Sequence, residues 1–242
     1  MTHPTQSTKI YFKRRLWLLI VVLIAFLIYL IATGAFAPVP QMSSGSTDEK
    51  RAVDALALLA TRDDERISGY RRDQFGSGWA TADNGCDMRN VILNRDLRDV
   101  RLGIATSERR DGACLVLSGV LDDPFTGETI YFERGVNSNA IHIDHVVALS
   151  DGWQSGMHDR EREERVRFFN DPINLLAVDG PANMAKSDYT ADKWLPSNRA
   201  FHCIFVARQI SVKFRYALSV THAERQAKER VLRQCPDERI IR

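Results

Sequence analysis

Five polar residues between positions 144 and 186 are of the types that hydrolysis of a phosphate ester uses. Asp144 and His145 are adjacent in the apolar segment IHIDHVVAL. Two amides and one ammonium follow at Asn174, Asn183 and Lys186. Cleavage of a phosphodiester needs an activated water, a charge sink for the leaving oxygen, and reacting groups held in line. The set therefore predicts a site for phosphodiester hydrolysis.

Each of these side chains suits one part of that reaction. A neutral imidazole, with a pKa of about 6.5 in water, can accept a proton at neutral pH, so we expect His145 to act as the base. Asp144 and the amide oxygen of Asn183 are ligands suited to Mg²⁺ or Mn²⁺, which take few protein ligands and keep several waters. We expect Lys186 to lie near the phosphate as a point charge. Asn174 is expected to hold the loop that carries His145 by hydrogen bonding.

Two further residues are candidates for substrate contact. His142 precedes Asp144 by two positions and so projects to the same face of a strand. It could be a further ligand or phosphate contact, or it could be a structural or exposed histidine. The charged run at residues 159–167 is typical of a solvated helix face, and Arg165 is the one member that we expect to contact phosphate.

The sequence around these residues predicts a strand, a loop, a second strand and a helix. The first strand ends at the Asp144–His145 pair, and residues 173–178 (INLLAV) form the second. Residues 179–181 (DGP) then turn the chain into a helix that carries Asn183 and Lys186 on one face. The predicted fold class is thus α+β, with a ββα core between flanking helices.

The flanking elements have their own signals. Residues 86–97 predict a short helix, and residues 114–121 and 129–132 predict a β-hairpin, because the DDPFTGE segment between them has turn chemistry. Thr221 and Glu224 form a T-x-x-E pattern that is typical of a helix N-terminus.

The chain has four cysteines, Cys86, Cys114, Cys203 and Cys235. An even number predicts two disulfides, and four cysteines allow three pairings. We favour Cys86 with Cys114 and Cys203 with Cys235, because each pair lies within one local block. Zinc sites usually have two cysteines within a few positions of each other, so zinc ligation is disfavoured.

The N-terminal segment predicts export. Residues 16–37 begin with an uncharged apolar run long enough to cross a bilayer as a helix, and residues 1–15 carry the only nearby bases. We therefore expect a cytoplasmic basic stub, one transmembrane helix, a linker at residues 38–47 and an extracellular domain at residues 48–242. An A-x-A pattern ending at Ala37 leaves a second possibility, a cleaved signal segment and a secreted protein.

Composition limits the class of protein. The 242 residues are 44% hydrophobic and 26% charged, which excludes a disordered polar chain and a polytopic membrane protein. Four of the 33 basic side chains lie in residues 1–37, which leaves 29 against 31 acidic ones in the rest. Because that part has no basic excess, contact with nucleic acid must be local.

The chain resembles the HNH nucleases of the HNN type, which have a ββα-metal motif. The resemblance is to the exported actinobacterial proteins grouped with the DUF1524 or GmrSD C-terminal domain. Its central segments are DHVVAL at residues 144–149, NDPINLLAV at 170–178 and NMAKSD at 183–188. Further similar segments occur at residues 70–75, 86–90, 123–127 and 194–198, and at Arg165 with Phe168.

The resemblance implies His145 as base, Asp144 and Asn183 as metal ligands, and Asn174 as support for the loop. Asn183 replaces a histidine of many HNH enzymes, which favours Mg²⁺ or Mn²⁺ over zinc-like ions. Ala148 stands where the group commonly has proline.

We expect, from these observations together, a metal-dependent HNH endonuclease that hydrolyses DNA with low sequence specificity outside the cytoplasmic membrane. RNA is not distinguished from DNA as a substrate, because no residue identifies a 2′-hydroxyl contact. The alternative is an exported, non-catalytic binding or structural module that is stabilised by a metal. The expected partners are nucleic acid and the membrane, and no protein partner is inferred.

Overall fold

The computed structural model describes residues 50–83, 85–103 and 114–241. Within these ranges the helices are α1 (Ala52–Leu58), α2 (Met88–Asp96), α3 (Leu149–Ser155), α4 (Arg162–Asn170), α5 (Gly180–Lys186), α6 (His202–Arg215) and α7 (His222–Leu232). The strands are β1 (Thr61–Arg62), β2 (Arg98–Leu102), β3 (Val116–Asp122), β4 (Thr129–Glu133), β5 (Ile141–His145), β6 (Leu175–Asp179) and β7 (Val220–Thr221). The mixture of helices and small sheets confirms the α+β class.

The expected membrane segment at residues 16–37 lies outside the described residues, as do the stub at residues 1–15 and the linker at 38–47. None of the helices within the described ranges is both long and apolar enough to span a bilayer.

The predicted hairpin is present, and it belongs to a larger sheet. Strands β3 and β4 pair antiparallel, with Ser118 opposite Glu133 and Asp122 opposite Thr129. Strand β2 adds to the other edge of β3, which makes a three-stranded sheet in the order β2-β3-β4. The sequence did not predict β2, whose five residues RDVRL include three charged side chains and only two apolar ones, and the strand is mostly exposed.

Strands β5 and β6 form a separate antiparallel pair, and α5 follows β6 directly. Asp144 lies opposite Leu176, and His145 lies opposite Leu175. Strand β6 is buried along most of its length, so its pairing with β5 fixes the position of β5 against the core. This pair and helix are the elements that hold most of the predicted site residues.

Helix α5 is held tightly against the strand pair at its first residue. The Asp179 carboxylate caps the helix by accepting a hydrogen bond of 2.7 Å from the Ala182 amide. Pro181 occupies the first turn, where a backbone N–H would have no partner within the helix, so the missing N–H of proline costs no hydrogen bond. A Cβ atom on Gly180 would lie 2.4 Å from the Asn139 carbonyl oxygen, so only glycine allows this approach.

Two disulfides link the flanking elements, and both have the predicted pairing. Cys86 is bonded to Cys114, and Cys203 to Cys235. The second disulfide joins the start of α6 to the chain just after α7. The largest group of buried apolar side chains lies between α1, α6 and α7, and includes Leu56, Phe205 and Leu232.

Candidate active site

A cavity of about 580 Å³ opens beside β5 and α5. Four of the residues singled out from the sequence line it, namely His142, Asp144, His145 and Asn183. Strand β5 contributes the first three and helix α5 contributes the fourth. The strand pair and the helix thus bring an imidazole, a carboxylate and an amide from distant sequence positions to one cavity.

The His145 ring is buried and has a defined orientation. Its Nε2 atom lies 2.8 Å from the Phe169 carbonyl oxygen, which can only accept a hydrogen bond, so Nε2 carries the proton. The Trp79 ring stacks on the imidazole with an angle of 10° between the planes. In the neutral ring Nδ1 is then the lone-pair atom, and no described residue forms a hydrogen bond with it.

The surroundings of His145 favour its neutral form. Burial lowers the pKa of His145 to about 3, against the effect of the hydrogen bond to the Phe169 carbonyl. The positive charges of Arg72 and Lys186 contribute to this lowering of the pKa. At neutral pH the ring is therefore uncharged and able to accept a proton at Nδ1.

The Asp144 carboxylate is buried, and only one of its two oxygens has a hydrogen-bond partner among the described residues. Its Oδ1 atom accepts a hydrogen bond of 2.8 Å from the Lys186 ammonium. Its Oδ2 atom is buried and has no hydrogen-bond partner among the described residues. Burial raises the pKa of the Asp144 carboxyl, and the Lys186 charge opposes that rise. An unsatisfied carboxylate oxygen beside a polar cavity is an atom that a cation could satisfy.

Asn183 and His142 meet across the cavity wall. The Asn183 Nδ2 atom lies 3.4 Å from the His142 Nδ1 atom. Because the amide nitrogen is a donor, this contact leaves the Asn183 oxygen as the atom available to a ligand. No group of three or more histidine, cysteine or acidic side chains within the described ranges is arranged to hold a metal ion. A cation here would take its remaining ligands from water and substrate.

Asn174 lies behind the cavity and joins the segments around it. It is fully buried, and its Oδ1 atom accepts a hydrogen bond of 2.8 Å from the Val147 amide. Its Nδ2 atom donates to the carbonyls of Val147 and Phe168, at 3.2 and 3.4 Å. The residue therefore ties the chain after His145 to the end of α4, whose Phe169 carbonyl orients the His145 ring.

Two residues lie elsewhere than expected. The Lys186 ammonium is fully buried and bonds to Asp144 and, at 2.9 Å, to the His145 carbonyl, so it does not face the cavity as a free charge. Arg165 does not line the cavity, because its guanidinium donates to the Gln74 carbonyl at 3.2 Å and covers the Trp153 ring. The Arg165 guanidinium, which we expected to contact phosphate, therefore contacts a backbone carbonyl and an aromatic ring instead.

Several cavity residues were not singled out from the sequence. Arg66, Tyr70, Arg72 and Arg89 line the cavity, as does Asp188, which accepts a hydrogen bond from the Ser150 hydroxyl at 2.9 Å. They come from segments far from the Asp-His pair in sequence, so no local pattern connects them to it. The available signal was the family resemblance, whose segments at residues 70–75, 86–90 and 183–188 include all of them except Arg66.

Comparison with known proteins points to one family. The model of the C-terminal domain of GmrSD restriction endonucleases matches residues 87–227. A protein of Arthroderma benhamiae, described as an uncharacterized secreted protein, is 34% identical over 208 residues, which cover 85% of this chain and 93% of that protein. No solved structure matches. The matched range includes every cavity residue that strand β5 and helix α5 contribute.

Proposed function

The chain belongs to the family of the GmrSD restriction endonuclease C-terminal domain, and from this we propose that it is a metal-dependent endonuclease of the HNH type. One observation carries the proposal: Asp144, His145 and Asn183 line a single cavity. A base, an acidic ligand and an amide ligand are what HNH-type hydrolysis of a phosphodiester requires. The ββα core of this class corresponds to β5, β6 and α5.

His145 is the proposed base. With Nε2 donating to the Phe169 carbonyl, Nδ1 accepts the proton of the attacking water. The low pKa in the free protein keeps the ring neutral, and a phosphodiester in the cavity adds negative charge close to the ring. That charge raises the pKa toward the range in which general base catalysis is efficient. The Trp79 stack and the Phe169 bond keep the ring from turning.

Asp144 and Asn183 are the proposed ligands of Mg²⁺ or Mn²⁺. The unsatisfied Oδ2 atom of Asp144 and the free amide oxygen of Asn183 fit a hard cation that keeps several waters. When bound, such a cation supplies Lewis-acid stabilisation of the negative charge on the leaving oxygen. His142 holds the Asn183 amide in the orientation that leaves its oxygen free.

Lys186 and Asn174 act as positioning residues. Lys186 bonds to both the Asp144 carboxylate and the His145 carbonyl, and so fixes the pair relative to α5. Asn174 holds the segment that follows His145 through its bonds to Val147. Neither side chain needs to touch substrate for this role.

The proposed substrate is DNA, cleaved with little sequence preference. Because the residues after position 37 carry 29 basic against 31 acidic side chains, binding depends on local phosphate contacts and is sensitive to salt. The two disulfides and the secreted relative support action outside the cell. Residues 16–37 supply a membrane anchor or a signal segment in this proposal.

A cleavage assay tests the proposal. Purified protein is incubated with supercoiled plasmid, single-stranded DNA and RNA in Mg²⁺ or Mn²⁺, and again with excess EDTA. We expect nicking of the plasmid that EDTA abolishes and that titrates with protein. Failure to cleave any of the three substrates, combined with a metal-dependent rise in melting temperature, would instead support a non-catalytic module.

A further inference from the structure

Three arginines line the cavity, and none of them forms an ion pair. Arg66 and Arg72 come from the segment that precedes α2, and Arg89 lies in the first turn of α2. No carboxylate within the described residues lies within ion-pairing distance of any of the three. Arg215, by contrast, pairs with Asp171 at 3.0 Å. Three unpaired guanidiniums around one cavity indicate a site for an anionic ligand.

Arg89 is the most informative of the three, because it is half-buried and forms no direct ion pair within the described residues. Its guanidinium donates only long hydrogen bonds, of 3.4 Å to the Ser138 carbonyl and 3.3 Å to the Ile141 carbonyl. Burial lowers the pKa of Arg89 and the nearby Arg134 lowers it too, against the opposite effect of the Asp87 charge. A partly desolvated cation in this state is stabilised when an anion enters the cavity beside it.

The acidic groups of the cavity wall do not cancel this positive charge. The Asp144 carboxylate is paired with Lys186, and Asp188 is bonded to the Ser150 hydroxyl. Two side chains of the wall thus carry negative charge, of which one is already neutralised, against three arginines without an ion pair. The cavity therefore attracts an anion.

Arg89 and Arg72 lie near opposite ends of β5. Arg89 is anchored to the carbonyl of Ile141, the first residue of the strand. Arg72 lies 5.4 Å above the Phe169 ring, and that ring lies 4.7 Å from the His145 ring at the last residue of the strand. Five strand residues extend over about 13 Å between the first and last Cα atoms. Asp144 lies between these ends.

We propose that Arg66, Arg72 and Arg89 bind phosphates on both sides of the scissile one, so that the site takes a polynucleotide and not a mononucleotide. This inference rests on the proposed function and names the substrate contacts of the same cavity. The distance of about 13 Å between the two ends of β5 exceeds the separation of adjacent phosphates on one strand. A dinucleotide has a single internucleotide phosphate and so cannot place phosphates at both arginine positions, whereas an oligonucleotide of several residues can.

Binding of short DNA measured in EDTA tests this, because no cleavage occurs there and the result does not depend on turnover. Fluorescein-labelled thymidine oligonucleotides of two and eight residues are titrated with the full-length chain, and anisotropy is recorded at several salt concentrations. For the wild-type protein we expect the octamer to bind at least about tenfold more tightly than the dimer, since each charge-assisted contact contributes that much.

The variants Arg72→Gln and Arg89→Gln should each weaken octamer binding about tenfold and leave dimer binding less affected. Each should also reduce the slope of log K against log salt by about 0.7, the value for one phosphate contact on a single strand. Arg101→Gln is the matched control, because Arg101 is exposed on β2 and does not line the cavity. Arg66→Gln and Arg72→Gln change exposed side chains, so they remain informative if Arg89→Gln fails to fold.

Octamer binding by Arg66→Gln and Arg72→Gln that equals the wild type, with the same salt slope, would overturn the assignment. Its failure is distinguishable from failure of the proposed function. If these variants lose binding and the wild type does not cleave in Mg²⁺, the arginine contacts are supported and the nuclease is rejected. If the wild type cleaves and the variants bind as it does, only the arginine contacts are rejected.

Discussion

The Lys186 ammonium lies 2.8 Å from the Asp144 carboxylate, and both side chains are buried beneath the cavity. The same ammonium bonds to the His145 carbonyl at 2.9 Å. One side chain from α5 therefore neutralises the acid and fixes the backbone of the base. The second oxygen of Asp144 is buried and has no hydrogen-bond partner among the described residues, so the pair leaves one carboxylate oxygen unsatisfied.

Removing the ammonium should strongly destabilise the domain. Lys186→Met leaves Asp144 buried without its countercharge, and we expect a loss of about 3 kcal/mol in the free energy of unfolding, measured with urea. The double variant Asp144→Asn/Lys186→Met should be more stable than the single variant, because the buried charge is gone. Equal stability of the single and double variants would contradict a direct interaction between the two residues.

Asn174 should affect both stability and turnover without affecting substrate binding. Asn174→Ala leaves the buried Val147 amide without its acceptor, so we expect a loss of about 2 kcal/mol in the free energy of unfolding. Below its melting range the variant should have a reduced kcat and an unchanged KM, because the side chain holds the segment after His145. Asn198→Ala is the control, since Asn198 bonds to the Pro124 carbonyl outside the cavity. A control that lost as much kcat as Asn174→Ala would reject the positioning role.

The stability of the domain should depend on pH through His145. In the unfolded chain its pKa is about 6.5, and burial lowers the folded value to about 3. Between these values the unfolded state binds a proton that the folded state does not, so stability is complete above about pH 6.5 and falls as the pH decreases. From pH 7 to pH 5 we expect the free energy of unfolding to fall by about 2 kcal/mol on this account.

His145→Gln isolates this contribution from the other titrating groups. Urea unfolding of both proteins is measured at intervals from pH 7 to pH 5, and the difference between the two curves is compared. The wild type should lose stability more steeply than the variant. Parallel curves would mean that the pKa of His145 is the same in the folded and the unfolded protein, contrary to its burial.

The disulfide between Cys203 and Cys235 should contribute to stability and not to chemistry. The double variant Cys203→Ser/Cys235→Ser opens a loop with a sequence separation of 32 residues. In the chain-entropy model the loss is about 3 to 4 kcal/mol, which a lower urea midpoint would report. Because the disulfide does not line the cavity, cleavage at low temperature should be retained. An unchanged midpoint would argue against this stabilisation.

The elements that position the site could be predicted because their signals are local. Strands β3, β4 and β6 are apolar segments bounded by turn residues, and α5 follows an Asp-Gly-Pro turn. The helix start at Thr221 was predicted in part. Its hydroxyl accepts a hydrogen bond from the Glu224 amide at 3.1 Å, but the Glu224 side chain bonds to Lys213 and Lys228 and does not return to the helix start.

The partners of the charged side chains could not be predicted, because tertiary packing decides them. The charge pattern of residues 159–167 is the same whether Arg165 faces a phosphate or, as here, the Gln74 carbonyl. The position of Lys186 three residues after Asn183 does not determine whether its ammonium is buried against Asp144. Arg72 and Arg89 reach the cavity only because the segments before and within α2 fold beside β5.

The rate of plasmid nicking by His145→Ala in Mg²⁺ tests the proposed site most directly. The wild type, His145→Ala and the control His222→Ala, which changes an exposed histidine at the start of α7, are compared at equal concentration after their folding has been verified by thermal melting. We expect His145→Ala to cleave at least 100-fold more slowly, a loss of about the size that removal of a general base causes, while His222→Ala cleaves at the wild-type rate. Cleavage by His145→Ala at the wild-type rate would contradict the assignment of the cavity as the active site.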